Sequence, residues 1–310
     1  MPVSGVRSLS SLSPTPKSYK SVKKVLVTGA TGFLGRHLLR QLHQVAGIRL
    51  YTCAIEPAVR AYTHDWIKGT TYISADLYEP NDDWYETLGK PDIMIHLAWQ
   101  GLPNYKEDFH FTRNLFADYT LLKEMIEGGL KSLTVTGTCF EYGMVEGCLT
   151  ESMPTQPHNP YALAKDTLRK MLELLSKTHP YSLKWARLFY MYGEGQNPNA
   201  ILSQLQRTVE AGDEVFNMSG GEQVRDYQPV ELVAYHICAI ALQDVVTGII
   251  NNCSGHGTKV IDLVHDFLAQ YEQKISLNKG YYPYPDFEPF AFWGDDTKLK
   301  LAIAAYEQKG

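Results

Sequence analysis

Short apolar runs alternate with longer stretches of helical periodicity from residue 22 to about residue 190. The runs are rich in Val, Ile, Leu and Thr, as buried strands are, and lie at 25–28, 49–54, 71–74, 93–97, 132–136 and 183–188. Between them, segments such as 109–127 and 162–177 repeat apolar residues at helical spacing. This alternation predicts an α/β fold with a doubly wound parallel Rossmann sheet covered by helices on both faces.

The pattern changes after residue 193. Helices are predicted at 200–211, 230–242 and 260–270, and the loops between them are rich in Gly, Asn and aromatic residues. We therefore expect an NAD(P)-binding Rossmann domain over residues 22–192 and a smaller C-terminal substrate-binding lobe over 193–310. Because no long linker separates the two, we expect them to be interleaved.

The first residues differ in composition from the rest. Residues 1–21 are rich in serine, contain Arg and Lys, and have no acidic residue. With so little apolar surface, this segment is predicted to be a disordered leader. An organellar transit peptide has a similar composition and stays an alternative, although no amphipathic Arg-rich helix is evident.

Composition and charge narrow the function classes. The 310 residues carry a net charge of −5, so a nucleic-acid partner is not expected. No apolar run approaches the roughly 20 residues that span a bilayer, which predicts a cytoplasmic protein with no membrane partner. The five cysteines form no CxxC pair and the ten histidines show no HExxH spacing, so no metal is proposed.

A glycine-rich turn follows the first predicted strand. Gly29, Gly32 and Gly35 have the spacing that allows a tight turn, close approach of a pyrophosphate, and helix–strand packing. The helix that follows would offer free N–H groups and a partial positive charge to a phosphate. The turn therefore predicts a dinucleotide site, whose cradle is formed by residues Gly29, Thr31, Gly32, Phe33, Leu34 and Gly35.

Tyr161 and Lys165 stand four residues apart in a predicted helix, and so lie on one face of it. Tyrosine has a pKa of about 10, which makes it a poor proton donor at neutral pH. A neighbouring ammonium favours the phenolate and is expected to lower that pKa. A cofactor cradle together with an activated tyrosine indicates hydride transfer.

Other candidate residues follow the ends of predicted strands. Thr138 lies in a turn after the fifth strand, where its hydroxyl would donate to a substrate oxygen. Asp76 and Leu77 follow the third strand and are predicted to meet the adenine. The segment Leu97–Ala98–Trp99 closes the fourth strand and would line the cofactor, whereas His96 is expected to be structural.

Together these motifs resemble those of the extended short-chain dehydrogenase/reductases, in the NAD-dependent epimerase/dehydratase group that acts on nucleotide sugars. The matching segments, which span roughly residues 23 to 300, are GATGFLG, DL at 76–77, HLAW at 96–99, Asn114, TGTCFEYG, PYALAK, RLFYMYG at 187–193 and VRDYQPV at 224–230. The resemblance implies that Thr138, Tyr161 and Lys165 form a catalytic triad and that Lys165 also binds the nicotinamide ribose.

The same resemblance implies that Arg225 binds the diphosphate of a nucleotide sugar. The alternative for Arg225 is a surface salt bridge with Asp226 or Glu222. We also expect a homodimer.

Departures from the family pattern narrow the reaction. Sugar 4,6-dehydratases have an acid pair directly after the catalytic threonine, where this chain has Cys139 and Phe140. Glu141 comes one place late and would point to the other side of an extended segment. The epimerase-reductases that make GDP-fucose use a histidine in the loop corresponding to 193–203, and this loop has none.

Two enzyme functions fit the sequence, and both use Thr138, Tyr161 and Lys165. A 4-ketoreductase of a 4-keto-6-deoxy nucleotide sugar is favoured by the resemblance of TGTCFEYG and HLAWQGLPNY to such reductases. A nucleotide-sugar 4-epimerase with tightly held NAD is the alternative. A non-catalytic NAD(P)-binding sensor is disfavoured because Thr138, Tyr161 and Lys165 are all present.

The choice between NADP and NAD depends on the end of the second strand. An acid there would bind the ribose 2′-hydroxyl and select NAD, but the expected position is near Cys53 and Glu56 comes late. Arg36 and Arg60 are placed to meet a 2′-phosphate. The sequence therefore favours NADP over NAD.

Overall fold

A computed structural model describes residues 22–271, 274–284 and 288–309. The predicted leader, 1–21, lies outside the described residues. The strands are β1 (Lys23–Thr28), β2 (Ile48–Ala54), β3 (Thr71–Ser74), β4 (Ile93–His96), β5 (Ser132–Thr138), β6 (Gly147–Leu149), β7 (Ser182–Leu188), β8 (Tyr190–Tyr192), β9 (Val215–Asn217), β10 (Val224–Arg225), β11 (Tyr227–Pro229), β12 (Gly248–Asn252), β13 (Thr258–Lys259), β14 (Ser276–Asn278) and β15 (Phe292–Gly294).

The helices are α1 (Phe33–Leu42), α2 (Ala58–Ala61), α3 (Trp84–Thr87), α4 (Leu115–Gly128), α5 (Pro160–Leu175), α6 (Ile201–Ala211), α7 (Val230–Leu242), α8 (Val260–Leu268) and α9 (Thr297–Gln308). Short 3₁₀ turns span Asp65–Ile67 and Cys139–Tyr142, and a π-helical turn at His110–Asn114 leads into α4. Among the described residues, no helix is long and apolar enough to cross a membrane.

The central sheet has seven strands in the order β12-β7-β5-β4-β1-β2-β3, and all neighbours pair in parallel. Val25, Leu26 and Val27 of β1 are fully buried, as expected of a strand covered on both faces. The predicted doubly wound parallel sheet is confirmed. The seventh strand, β12, was not predicted.

Helices cover the sheet on both sides. One face is covered by α1 and α7, whose Leu38, Leu39 and Ile237 share a buried apolar cluster. The other face is covered by α4 and α5, where Leu121 and Leu168 belong to a second cluster. These two layers form the core of the molecule.

The chain returns to the sheet after residue 193. The strand β12 pairs with β7, and α7 and α9 pack beside it, so these elements belong to the Rossmann layer. A smaller group, α6 and α8 with the strand pair β9–β14, packs around Leu205, Phe216 and Val264. Residues 193–309 are therefore divided between the large sheet and a small lobe.

The carboxyl ends of the central strands meet at one edge of the sheet. Thr28 is paired with His96, His96 with Val135, and Thr138 with Leu188. In open parallel sheets this edge is where ligands bind. The predicted site residues at 29–35, 97–99 and 138 lie at or directly after the ends of strands at this edge.

Candidate active site

The glycine turn lies against the segment after β4. Gly29 has a φ of +68°, and a Cβ on it would lie 2.9 Å from the backbone nitrogen of Ala98. A Cβ on Gly35 would lie 2.3 Å from the carbonyl oxygen of Gly29. The amide of Gly32 donates to that same carbonyl at 3.0 Å. Only glycine fits at the first and third of these positions.

The turn has the features that a dinucleotide requires. The first turn of α1 contains no acidic residue, so the partial positive charge of its N-terminus is not neutralised there. The residues predicted to form and line the cradle are partly exposed and accessible to a ligand, namely Thr31, Phe33, Leu34, Leu97, Ala98 and Trp99. The residues of this chain therefore fit a nicotinamide dinucleotide.

Asp76 accepts hydrogen bonds next to residues 97–99, the segment predicted to line the cofactor. Its Oδ1 accepts from the backbone nitrogen of Tyr78 at 3.0 Å and from Nε2 of Gln100 at 2.8 Å. The carbonyl of Gln100 accepts from Nδ2 of Asn114 at 2.9 Å. The neighbouring Leu77 is buried in the core. This network fixes the chain directly after Trp99.

The two arginines predicted to meet a 2′-phosphate have other partners. Arg60 pairs with Glu56 at 2.9 Å, and Glu56 also lies 3.2 Å from Nε2 of His64. The Arg36 guanidinium lies 5.2 Å from the centre of the Trp66 ring. Both arginines therefore already contact other side chains of the protein, Arg60 an acid and Arg36 an aromatic ring.

Thr138 ends β5 and caps the 3₁₀ turn Cys139–Tyr142. Its Oγ1 accepts from the backbone nitrogen of Phe140 at 3.3 Å, and its own backbone nitrogen donates to Oε1 of Glu141 at 2.8 Å. This reciprocal pair is a capping box. It fixes the Thr138 side chain at the edge where the central strands end.

Tyr161 lies in the first turn of α5. The helix begins where Asn159 caps it, with Oδ1 accepting from the backbone nitrogen of Ala162 at 2.8 Å, and Pro160 occupies the first helical position. The Tyr161 ring is buried, with ring centres of Tyr105 and His110 at 5.5 Å and 5.4 Å. The Tyr161 phenol also forms a hydrogen bond with the Thr138 side chain, so the start of α5 and the end of β5 meet here.

The expectation that Lys165 lowers the pKa of Tyr161 is wrong for this structure. Burial of the phenol raises its pKa, and the interactions with Tyr105 and Glu141 raise it further. The hydroxyl of Thr138 lowers it, but by less than burial raises it. Tyr161 is therefore a neutral phenol, which is the protonation state of a proton donor.

Lys165 lies one turn further along α5 and is buried. Burial lowers the pKa of its ammonium to about 8, while the charges of Asp118 and Glu141 act in the opposite direction. Its Nζ lies 4.4 Å from the centre of the Trp99 ring. Lys165, like Thr138 and Tyr161, is thus buried.

His96 is a fully buried structural histidine, as predicted from the sequence. Its Nδ1 lies 2.9 Å from Oγ1 of Thr28, and its Nε2 lies 3.4 Å from Oδ2 of Asp118. Thr136 of β5 is buried and donates to the His96 carbonyl at 3.3 Å.

Glu141 differs from its predicted placement. The segment after Thr138 is a 3₁₀ turn rather than an extended strand, so Glu141 points into the core. Its carboxylate accepts from Nε of Arg187 at 2.7 Å and from Nε1 of Trp185 at 2.9 Å. Next to it, burial raises the pKa of the Cys139 thiol. Neither group is a free acid or base beside Thr138.

Arg225 is buried and has a different partner from either one considered in the sequence. Its Nη2 lies 3.0 Å from Oε2 of Glu288, and its Nη1 donates to the carbonyls of Val224 and Phe290, each at 2.9 Å. The surface salt bridge with Asp226 or Glu222 is therefore wrong. Asp226 instead accepts from backbone nitrogens, including that of Ser254 at 2.7 Å.

Two cavities lie beside Tyr105, whose ring centre is 5.5 Å from that of Tyr161. One, of about 500 Å³, is lined by Arg225, Glu288 and Tyr190, and the other, of about 540 Å³, by His158, Asn159 and Pro160 at the start of α5. Tyr105 and Pro103 line both.

Several residues that build the site were missed in the sequence: Tyr105, His110, Asp118, Trp185, Arg187 and Glu288. The loop that carries Tyr105 has no periodicity that would signal it. The one available signal was Arg187, a charged residue inside an apolar strand, which requires a buried partner.

Comparison with known proteins identifies the family of the chain. The family model described as "NAD dependent epimerase/dehydratase family" matches residues 25–253. A dTDP-6-deoxy-L-talose 4-dehydrogenase (NAD(+)) from Aggregatibacter actinomycetemcomitans is 27% identical over 276 residues, which cover 87% of this chain and 98% of that protein. A UDP-glucose 4-epimerase from Halalkalibacterium halodurans is 26% identical, covering 77% of this chain and 78% of that one.

A solved structure has the same fold. The UDP-glucuronic acid 4-epimerase from Bacillus cereus, in complex with UDP-glucuronic acid and NAD, superposes with a TM-score of 0.76. It is 20% identical and the match covers 92% of this chain and 96% of that one. At this identity the likeness concerns the fold alone.

Proposed function

Because the chain belongs to the NAD dependent epimerase/dehydratase family, as the sequence resemblance to extended short-chain dehydrogenase/reductases predicted, we propose that it reduces the 4-keto group of a nucleotide-linked 6-deoxysugar. The observation that carries the proposal is the hydrogen bond between the hydroxyls of Thr138 and Tyr161, with Lys165 buried one turn further along α5. Of the two groups that follow Thr138 and titrate, Glu141 is paired with Arg187 and Cys139 is a buried thiol whose pKa burial raises. That set suffices for a reduction and offers no second acid–base pair for a dehydration.

A nicotinamide dinucleotide, when bound, supplies the hydride to the carbonyl carbon. The three side chains act on the carbonyl oxygen and its proton. The Thr138 hydroxyl donates to the ketone oxygen and orients it. Tyr161 gives its phenolic proton to that oxygen as the alcohol forms. The positive charge of Lys165 stabilises the phenolate that is left behind.

We propose NAD as the cofactor, in place of the NADP that the sequence favours. Arg60 is paired with Glu56, whose carboxylate would repel a 2′-phosphate at that place, and the Arg36 guanidinium lies over the ring of Trp66. The printed name of the relative from Aggregatibacter actinomycetemcomitans also contains NAD(+). Comparison of kcat/KM for NADH and NADPH tests this choice.

The substrate class follows from the relatives and from Arg225. The curated relatives named above act, by their names, on dTDP- and UDP-linked sugars. The Arg225 guanidinium lines the cavity of about 500 Å³ and has the fork geometry that suits a diphosphate. To bind one, it would have to share its contact with Glu288.

The homodimer expected from the sequence stays a prediction. It is supported by apolar side chains exposed on the two helices that pack together on one face of the sheet, namely Phe116 on α4 and Leu163 and Leu174 on α5. Sedimentation analysis of the purified protein tests it.

The test of the function is a direct assay of cofactor oxidation. We expect stoichiometric consumption of NADH with a 4-keto-6-deoxy nucleotide sugar and formation of one 4-hydroxy epimer. Tyr161→Phe should lower turnover by a factor on the order of 10² or more and leave NADH binding nearly intact, because only the transferable proton is lost.

The alternatives predict different results. Interconversion of two 4-hydroxy nucleotide sugars without net cofactor oxidation, by protein that keeps NAD through gel filtration, would establish the 4-epimerase instead. Cofactor binding with no turnover on either substrate type would favour a non-catalytic sensor. Near-normal turnover in Tyr161→Phe would remove Tyr161 from the mechanism.

A further inference from the structure

The Lys165 ammonium is enclosed between two indole rings. The residue is 1% exposed, and its Nζ lies 4.4 Å from the ring centre of Trp99 and 5.3 Å from that of Trp185. Trp99 follows β4 and Trp185 lies within β7, so the two rings approach from different parts of the sheet. We call this pair the indole cage.

A buried ammonium is unstable relative to the neutral amine unless something replaces its hydration. Indole faces carry the negative part of the ring quadrupole and attract a cation within about 6 Å of the ring centre. Both rings of the cage meet that distance. The attraction is stronger where water is excluded, as it is around Lys165.

Each ring of the cage is held by a hydrogen bond at its edge. Nε1 of Trp99 donates to Nδ1 of His110 at 2.9 Å, and Nε2 of that histidine lies 3.0 Å from the carbonyl of Asn104. Nε1 of Trp185 donates to both carboxylate oxygens of Glu141, at 2.9 and 3.1 Å. Because an indole has this single donor, the two bonds fix the direction in which the N–H edge of each ring points.

Glu141 connects the cage to the catalytic threonine. The same carboxylate that fixes Trp185 accepts from the backbone nitrogen of Thr138 at 2.8 Å, and Arg187 pairs with it at 2.7 Å. Glu141 is fully buried. One carboxylate thus holds both the end of β5 and the ring that faces Lys165.

We propose that Trp99 and Trp185, the latter positioned by Glu141, keep the Lys165 ammonium protonated and held in place inside the site. The inference rests on the proposed function in that Lys165 acts there as the charged partner of Tyr161. Trp185 and Glu141 are positioning residues, since neither has a place in the proton transfer itself.

Other charged groups also affect the protonation of Lys165, and their effects must be distinguished from that of the indole cage. Asp118 of α4 and Glu141 favour the charged form, and burial opposes it. Asp118 lies 3.4 Å from His96, and Glu141 is paired with Arg187. On the same helix, Tyr161 is neutral because burial raises its pKa. Substitution of Trp185 changes none of these charges.

The test measures the protonation of Lys165 directly, by NMR of lysine-labelled protein, with the resonance assigned by its loss in Lys165→Met. In the wild type the ammonium should titrate near the pKa of about 8 given by its burial. Trp185→Leu, which keeps an apolar side chain and removes the aromatic face, should lower the titration midpoint by roughly half to one pH unit. Trp185→Phe, which keeps an aromatic face, should lower it by less.

The matched control is Trp84→Leu, a tryptophan of similar burial in the same apolar cluster as Trp185. It should lower thermal stability and leave the midpoint of Lys165 unchanged. A midpoint that is unmoved or raised in Trp185→Leu, or equal shifts in the leucine and phenylalanine variants, would overturn the cage. If Trp185→Leu does not fold, an unmoved midpoint in Trp185→Phe overturns it.

The readout needs no substrate, so the two proposals fail separately. A midpoint that is lowered more in Trp185→Leu than in Trp185→Phe supports the cage even if the wild type reduces no keto-sugar. A reductase whose Lys165 midpoint does not respond to Trp185 keeps its function and loses the cage.

Discussion

The contacts of Arg225 in the structure differ from those predicted from the sequence. Its position in VRDYQPV predicted a diphosphate contact, with a surface salt bridge as the alternative. In the structure the guanidinium is 3% exposed, pairs with Glu288 and donates to two carbonyls. Removing the whole side chain would leave Glu288, which is itself mostly buried, without its ion pair, a change that destabilises proteins strongly. A smaller change is therefore needed to examine binding.

Arg225→Lys keeps the positive charge and loses the planar fork. We expect KM for a nucleotide sugar to rise about tenfold, with kcat changed less, because a diphosphate contact acts in ground and transition states alike. Steady-state kinetics measure this, and thermal unfolding should show a modest loss of stability, because one ammonium cannot replace the contacts to Glu288, Val224 and Phe290 together. The control is Arg207→Lys on α6, which lines a separate cavity and should leave KM unchanged. An unchanged KM in Arg225→Lys would limit this arginine to its ion pair.

At the scale of elements, the start of α5 determines where the chemistry lies. Asn159 caps the helix and Pro160 opens it, so Tyr161 falls in the first turn and Lys165 one turn later. The backbone nitrogen of Tyr161 also donates to the carbonyl of Tyr105 at 3.2 Å, which ties the helix start to the loop between the two cavities. A change in the cap should therefore affect both stability and turnover.

Asn159→Ala should lower the free energy of unfolding by about 1 kcal/mol and turnover by several-fold, because the first turn loses its acceptor and Tyr161 its fixed position. Denaturant unfolding and steady-state kinetics measure the two effects. Asn159→Asp, which keeps an acceptor oxygen at the cap, is the conservative control and should recover most of both. Loss of stability with full turnover would show that the cap does not position Tyr161.

At the scale of the whole molecule, the return of the chain to the sheet after residue 193 buries polar groups between α7 and β12. His236 of α7 has Nδ1 2.9 Å from Oδ1 of Asn252 in β12, and burial lowers its pKa to about 4. The charge of Asp296 acts in the opposite direction but is the smaller effect. In the unfolded chain the same histidine has a pKa near 6.5.

A depressed pKa in the folded state makes stability fall with acid. The contribution of neutral His236 is fully present above pH 6.5 and is lost as the pH falls toward 4, because only the unfolded chain takes up the proton there. We expect the unfolding free energy to decrease by roughly 3 kcal/mol from this group over that window. Denaturant unfolding at several pH values measures it.

His236→Gln should remove this part of the pH dependence, since glutamine does not titrate. The exposed His256 provides the control, and His256→Gln should keep the wild-type slope between pH 6.5 and 4. A slope that survives in His236→Gln would assign the acid sensitivity to other groups.

Local pattern was sufficient for much of the fold. The six predicted strands and the order of helices between them are present because continuous apolar runs and helical periodicity are properties of neighbouring residues. The glycine turn was also local, since a positive φ at Gly29 and the close approach to Ala98 can be met only without a side chain. The spacing of Tyr161 and Lys165 on one helix face is of the same kind.

Only the tertiary structure determined the partners of the buried charges. Glu141 meets Arg187 and Trp185, Arg225 meets Glu288, and two tryptophans enclose Lys165, each across sequence separations that no periodicity encodes. Burial also reversed the expected direction of the Tyr161 pKa shift, because desolvation depends on every element that covers the ring. Sequence spacing along one helix sets which side chains are neighbours, whereas packing of distant elements sets the medium in which their charges act.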